Sequence, residues 1–308
     1  LGRHFGSIGM AVDSHFTEIS LNQTASSDLR ISEIAQNKIS RLINQFYLTL
    51  GSAIPSDLRL SQLSISSLIP EHAGLGSGTQ LALVIGHLLA HHHHIEASTS
   101  DIAQAMDRGK RSGIGISTFD SGGFIVDAGL GANSTLPVHL FRHDFPSEWR
   151  LVMLMDTSHQ GIHGQTEIQA FQQLPDFPLQ NSQQICHLTL MQLLPALIEK
   201  DIEQFGRAVT QIQFLIGQHF APAQGGQYSS HAIGCLMEEA QKMGFTGMAQ
   251  SSWGPTSCIF AKSQAQADHL MAELQQKIDA DSKLQNIALS TAAGVNQGAS
   301  ITISDEVL

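Results

Sequence analysis

"PEHAGLGSGTQLALVIGHLLA", residues 70–90, sets three glycines and two hydroxyl residues directly against an apolar run. Gly74, Gly76 and Gly78 carry no Cβ, so their backbone N–H groups can turn inward, and Ser77 and Thr79 add hydroxyl donors where a helix begins. That geometry suits an anion. The helix carries Leu81, Val84, Ile85 and Leu88 on one side and Leu83 and Ala90 on another, a pattern that buries most of its surface and makes its start rigid. A glycine-rich turn into a core helix with no ligand has the same pattern, so the rest of the chain has to separate the two readings.

The chain has 308 residues, 42% hydrophobic and 14% charged, enough for two domains with a real core. A net charge of -11 with only 16 Lys and Arg leaves no broad basic face, which excludes a general nucleic-acid binder. No apolar stretch approaches the roughly 20 residues of a membrane helix. "LGRHFGSIGM" has no apolar signal core behind a basic start, so a cytoplasmic protein without a membrane partner is expected. Cys186, Cys235 and Cys258 are far apart and read as buried, inert thiols. His91 to His94 adjoin one another at a helix end and point in different directions, which assigns them no metal. Anionic ligands need a local cluster, and "DRGKRSG", residues 107–113, supplies Arg108, Lys110 and Arg111 beside a glycine turn. A solvated charge run offsetting a helix dipole fits those residues as well.

Along the chain, "SHFTEISL", "QLSISSLI", "GGFIVDAG" and "LPVHLFRHD" read as strands, and residues 29–51 and "STSDIAQAMDRG" as helices, the latter capped by Ser98 and ended at Gly109. "HDFPSEW" has the proline and polar content of a junction, giving expected domains over 1–145 and 146–308. The second opens on the strand "RLVMLMD" and continues as four helical stretches. It closes with strand "SCIFAK", a helix from the Ser263 capping box, and strands "NIALSTA" and "ASITIS". The expected class is α+β, a mixed N-terminal domain followed by a helix-rich split βαβ, ferredoxin-like domain.

Glycine- and serine-rich stretches thus stand at the start, near residue 75 and near residue 252. The second, Pro70 to Gly78, resembles the phosphate loop of the GHMP superfamily, and "AQSSWGPTSCIFA" stands where that superfamily has its C-terminal glycine-rich motif. Together with "LGRHFGSIGMAVD" and "RGKRSGIGISTFDSGGFIVDAG", the wording is most similar to one branch, the β-ribofuranosylaminobenzene 5′-phosphate synthases of methanopterin biosynthesis. The resemblance covers essentially the whole chain. It implies transfer of the ribosyl 5-phosphate of 5-phosphoribosyl-1-pyrophosphate (PRPP) to 4-aminobenzoate or 4-hydroxybenzoate, with loss of CO2 and pyrophosphate and no use of ATP. Against the family, the sequence starts at Leu1 where a leading strand should already have passed, so some N-terminal residues are expected to be missing.

Such chemistry has to stabilise an oxocarbenium-like ribosyl centre and a departing pyrophosphate, so cations and N–H donors matter more than a nucleophile. Lys110 and Arg111 are assigned to the phosphates, joined by Arg3, His4 and Ser7 from the first motif and by Ser112 and Gly113. Mg²⁺ is the expected cofactor, held largely by phosphate oxygens, with Asp120 and Asp127 as carboxylate candidates that suit turn or strand-end roles equally. Ser251, Ser252 and Trp253 form the third loop, with Trp253 either stacked on the arene or packed at a domain interface. His163 and Glu167, at i,i+4, are a polar pair able to handle a proton, or a simple cap. A homodimer is expected. The rival enzyme is a GHMP small-molecule kinase, and it differs at one position. Kinases of that superfamily commonly carry Ser-Gly-x-Asp, whereas Ser112-Gly113-Ile114 is followed by Gly115, with Asp120 as a candidate substitute. A non-catalytic ligand-binding relative is the third reading.

Overall fold

The computed structural model describes residues 2–21, 32–60, 63–158, 161, 169–170 and 172–303. Its first half runs β1 (Ser7–Met10), β2 (Glu18–Ser20), α1 (Glu33–Leu48), β3 (Ser64–Ser67), α2 (Ser77–His92), α3 (Thr99–Ala105), α4 (Ile114–Ser121), β4 (Phe124–Asp127) and β5 (His139–His143). Strands β1, β4 and β5 form an antiparallel sheet in that order, and β2 pairs with β3. Local chemistry sets the helix ends. Ser32 accepts from Ala35 N to start α1, and Ser98 with Asp101 closes a capping box on α3. Gly76 sits in the left-handed region (φ 70°), so α2 begins at Ser77, inside the glycine loop and ahead of its apolar periodicity. Asp107 takes φ 59°, ending α3 before the expected stop at Gly109.

The second half opens on β6 (Arg150–Asp156), continues through helices Leu179–Leu188, Leu194–Glu199, Ile202–Gln224 and His231–Lys242, and adds β7 (Met248–Gln250), β8 (Thr256–Ala261), helix Gln264–Ala280 and β9 (Ile287–Ala292). The sheet order β7-β8-β6-β9, antiparallel throughout, is the expected split βαβ arrangement. Ser263 caps helix Gln264–Ala280 by accepting from Gln266 N. "ASITIS" forms no strand over 299–303: Ala299 N donates to Phe119 O at 2.7 Å, so the chain runs beside the end of α4 instead of joining a sheet.

Ile39, Leu42, Phe46, Leu83, Ile85 and Leu89 bury α1 against α2. A second core lies between the four-stranded sheet and helices His231–Lys242 and Gln264–Ala280. A third draws on both halves. Phe205 packs its ring 5.7 Å from Phe124 of β4, 5.2 Å from Trp149 and 5.1 Å from Phe260 of β8. The expected domain boundary at 145/146 falls between β5 and β6, where Phe145 and Trp149 enter this shared cluster. No helix among the described residues is long and apolar enough to cross a membrane. Phe205→Ala should lower stability by about 3–5 kcal/mol in urea unfolding, because it opens a cavity between four aromatic rings. A loss under about 1 kcal/mol would mean that the neighbouring rings close the space.

Candidate active site

The start of α4 is built around one buried carboxylate. Asp127, at the end of β4, accepts from Gly113 N (2.9 Å) and Ser7 Oγ (2.7 Å) through one oxygen and from Gly129 N (2.7 Å) through the other. Ser7 Oγ also lies 2.7 Å from Ser112 Oγ, and Ser112 in turn accepts from Ile114 N. Ser7, Ser112, Gly113 and Asp127, four residues singled out in the sequence, thus form one network. A carboxylate holding three strong donors is a positioning group for the α4 start.

The start of α2 lies directly against it. A Cβ on Gly115 would come 3.0 Å from the Thr79 methyl group, and Gln80 Nε2 donates to Gly115 O at 2.8 Å. Thr79 N and Gln80 N return to Gly76 O, while Ser77 N and Gly78 N donate to no group among the described residues. No acidic residue lies in the first turn of α2. A Cβ on Gly76 would face open space. Two helix N-termini, each with a positive dipole end, therefore meet beside an open glycine loop, a geometry that receives anions.

The third loop closes this one from behind. Ser251 Oγ donates to Gly74 O, and a Cβ on Gly74 would come 2.7 Å from Ser251 O. Gly161 meets the same seam, where a Cβ would run into Gly254 O. Ser252 is exposed at φ 49°. Trp253 is only 6% exposed and meets the Phe220 ring of helix Ile202–Gln224 edge-on at 4.7 Å, a contact within the second half.

Other sequence assignments have settings of their own. Lys110 is exposed and paired with Asp107 at 2.7 Å, and Arg111 is half-buried. Arg3 spends its guanidinium on Ala128 O and Gly129 O, and His4 bridges to Leu130, so both tie down the N-terminal segment. Asp120, at the far end of α4, accepts from Thr99 Oγ1 at 2.7 Å. It does not stand in for a carboxylate at position 115, where the Thr79 contact leaves little room for any side chain. Asp120 and Asp127 also fail to share a site, and no group of three metal-ligating side chains converges among the described residues. A resident Mg²⁺ on this pair does not fit. His163 and Glu167 lie outside the described residues. The cysteines are not the buried set expected, since Cys186 is exposed and Cys235 and Cys258 are half-buried; desolvation still pushes the Cys258 thiol up to about 12, so it stays protonated.

One residue of the basic run has a setting its spacing did not reveal. Arg108 reaches back from the end of α3 so that its Nη1 lies 3.8 Å from where a Gly78 Cβ would be. Its Nε is buried with no hydrogen-bond partner among the described residues, and burial lowers its pKa. The notable sequence signal was its place in a basic run, which does not say which of three cations turns inward.

Fold and site define a GHMP-type protein. Residues 21–123 match the family model for the GHMP kinases N terminal domain, and residues 193–280 the model for GHMP kinases C terminal. Homoserine kinase from Cytophaga hutchinsonii superposes with a TM-score of 0.63 at 18% identity, covering 94% of this chain and 90% of that one. Mevalonate diphosphate decarboxylase from Staphylococcus aureus gives 0.64 at 14% identity, covering 95% and 88%. Among curated relatives, a beta-ribofuranosylphenol 5'-phosphate synthase of Methanothermobacter thermautotrophicus is 30% identical over 271 residues, 82% of this chain and 80% of the relative. Its namesake in Archaeoglobus fulgidus is 31% identical over 277 residues, 86% and 83%. The chain belongs to this synthase family within the GHMP fold.

The seam predicts unequal glycines. Gly76→Ala should cost about 1–2 kcal/mol, the left-handed backbone penalty, because its side chain meets nothing. Gly74→Ala should cost more, since the same penalty (φ 76°) adds to the clash with Ser251 O. Thermal unfolding of both variants checks the order, and equal losses would show that the loop shifts freely.

Proposed function

We propose that this protein is a decarboxylating phosphoribosyltransferase that joins 4-hydroxybenzoate to C1 of PRPP, giving β-ribofuranosylphenol 5′-phosphate, CO2 and pyrophosphate, in biosynthesis of a methanopterin-type cofactor. Support for the aryl acceptor comes from the relatives, whose names specify a phenol product. 4-Aminobenzoate is the second acceptor. The ring carbon that bears the carboxylate attacks C1 of the ribose, and pyrophosphate leaves with the C1–O electron pair. CO2 then departs and returns its C–C pair to the ring, so charge and electrons balance without ATP.

The observation that carries this reading is the paired start of α2 and α4, with N–H groups at Ser77 and Gly78 that donate to nothing among the described residues and a glycine at 115 where the two starts touch. A kinase needs a base beside its acceptor hydroxyl, whereas a pyrophosphate leaving group needs donors and positive potential. The site offers the second set. Asp127, Ser7 and Ser112 fix the α4 start against which α2 packs, so the α2 donors do not have to reorganise as charge develops. Mg²⁺ would enter on the phosphate oxygens of PRPP instead of a resident protein site. We also propose a cytoplasmic homodimer, docked through the helix face where Leu190, Met191 and Ile198 stand exposed in a stretch with no Asp, Glu, Lys or Arg. For a chain of net charge -11, such a face lets two copies meet without like-charge repulsion.

The protein incubated with PRPP, Mg²⁺ and carboxyl-labelled 4-hydroxybenzoate should release labelled CO2, and more slowly with 4-aminobenzoate. ADP formation from ATP, without CO2 release, would favour the kinase. PRPP binding without turnover of either acceptor would identify a non-catalytic relative.

A further inference from the structure

Resting on the transferase reading, we infer that Arg108, and not the more exposed Lys110 beside it, is the cation that holds a phosphoryl group of the substrate at the start of α2. Three observations converge on this. The guanidinium lies over Gly78, at the first turn of α2, where a side chain on that glycine would meet it. Its Nε is shut off from water and has no acceptor, and no hydrogen bond or ion pair of its side chain exists among the described residues. The carboxylate that acts on it electrostatically is its chain neighbour Asp107, which is exposed and held by Lys110 at 2.7 Å.

A largely buried arginine whose nearest counter-charge is an exposed neighbour already paired with a lysine is unfavourable, and proteins pair or hydrogen-bond such groups. Here the neighbouring element makes matters worse, because the N-terminus of α2 adds positive potential and has no acid in its first turn. The missing partner is therefore an anion that accepts from the Arg108 fork and from Ser77 N and Gly78 N together. A phosphoryl group has the tetrahedral array of acceptor oxygens for that, and Arg can bind it through two parallel bonds where Lys supplies a point charge. The glycine at 78 gains a reason of its own, since a branched side chain there would displace the guanidinium.

The test uses inorganic pyrophosphate as the probe, with binding measured by calorimetry and by thermal shift on the full chain. Wild-type protein should bind pyrophosphate and melt higher in its presence. Arg108→Met should melt no lower than wild type without ligand, because it removes an unpaired buried charge, yet bind pyrophosphate about 10- to 100-fold more weakly. Arg108→Lys should recover part of that affinity. Undiminished affinity in Arg108→Met, or no pyrophosphate binding by wild type, overturns the inference. If Arg108→Met does not fold, Arg108→Lys decides: it must bind more weakly than wild type, and equal affinity overturns the assignment. Because binding is read without turnover, absence of CO2 release alongside Arg108-dependent pyrophosphate binding would sink the transferase reading and leave this one standing.

Discussion

Two helix starts held side by side, with a glycine where they touch, are the constraint on which the site depends. Each start carries the equivalent of roughly half a positive charge, so setting α2 against α4 at Thr79 and Gly115 gathers like potential in one place. The chain treats the two starts differently. Asp127 lies under α4 and takes the Gly113 N–H, neutralising that end from within. Among the described residues no carboxylate accepts from the α2 start, and Arg108 adds a further positive group there. One helix start is closed internally and the other is left for a charge from outside.

That asymmetry holds only if the α2 loop cannot drift. Its backing is the third glycine-rich loop, which meets Gly74 backbone to backbone and ties the first half of the chain to the second. The aromatic cluster around Phe205 makes the same connection in the core, with Phe124 from one sheet and Phe260 from the other. Seam and cluster together fix the halves at two points. Close-packed interiors transmit strain, so a change at the seam is felt at the loop.

Much of this was legible in the sequence because it rests on short-range chemistry. The glycine loop, the caps at Ser98 and Ser263 and the apolar runs of β6 and β8 depend on residues within a few positions of one another. The family wording led to the right fold. What escaped depends on long-range placement. Helix α4 has a glycine- and serine-rich sequence with weak periodicity, and it forms because Asp127, Ser112 and the packing against Thr79 hold its first turn. Arg108 and Lys110 are two residues apart, and the turn through Asp107 and Gly109, both at positive φ, decides which one faces α2. Trp253 looked displaced in a polar loop, yet Phe220 from a distant helix receives it. "ASITIS" has a strand pattern but no partner edge, and its backbone goes to α4 instead.

The same fold serves homoserine kinase and mevalonate diphosphate decarboxylase, so the architecture does not determine the reaction. The deciding feature is local. A carboxylate beside a phosphate loop can draw a proton from an acceptor hydroxyl, but it also repels a departing pyrophosphate. With glycine at 115 no carboxylate stands at that position, the two helix starts can approach closely, and the potential of the α2 start is not offset by any acid of its own first turn. An aromatic carbon nucleophile needs no such base, since CO2 leaves in place of a proton. The absence of a side chain at this one position thus agrees with both halves of the chemistry, the acceptor that has no proton to lose and the leaving group that carries the charge.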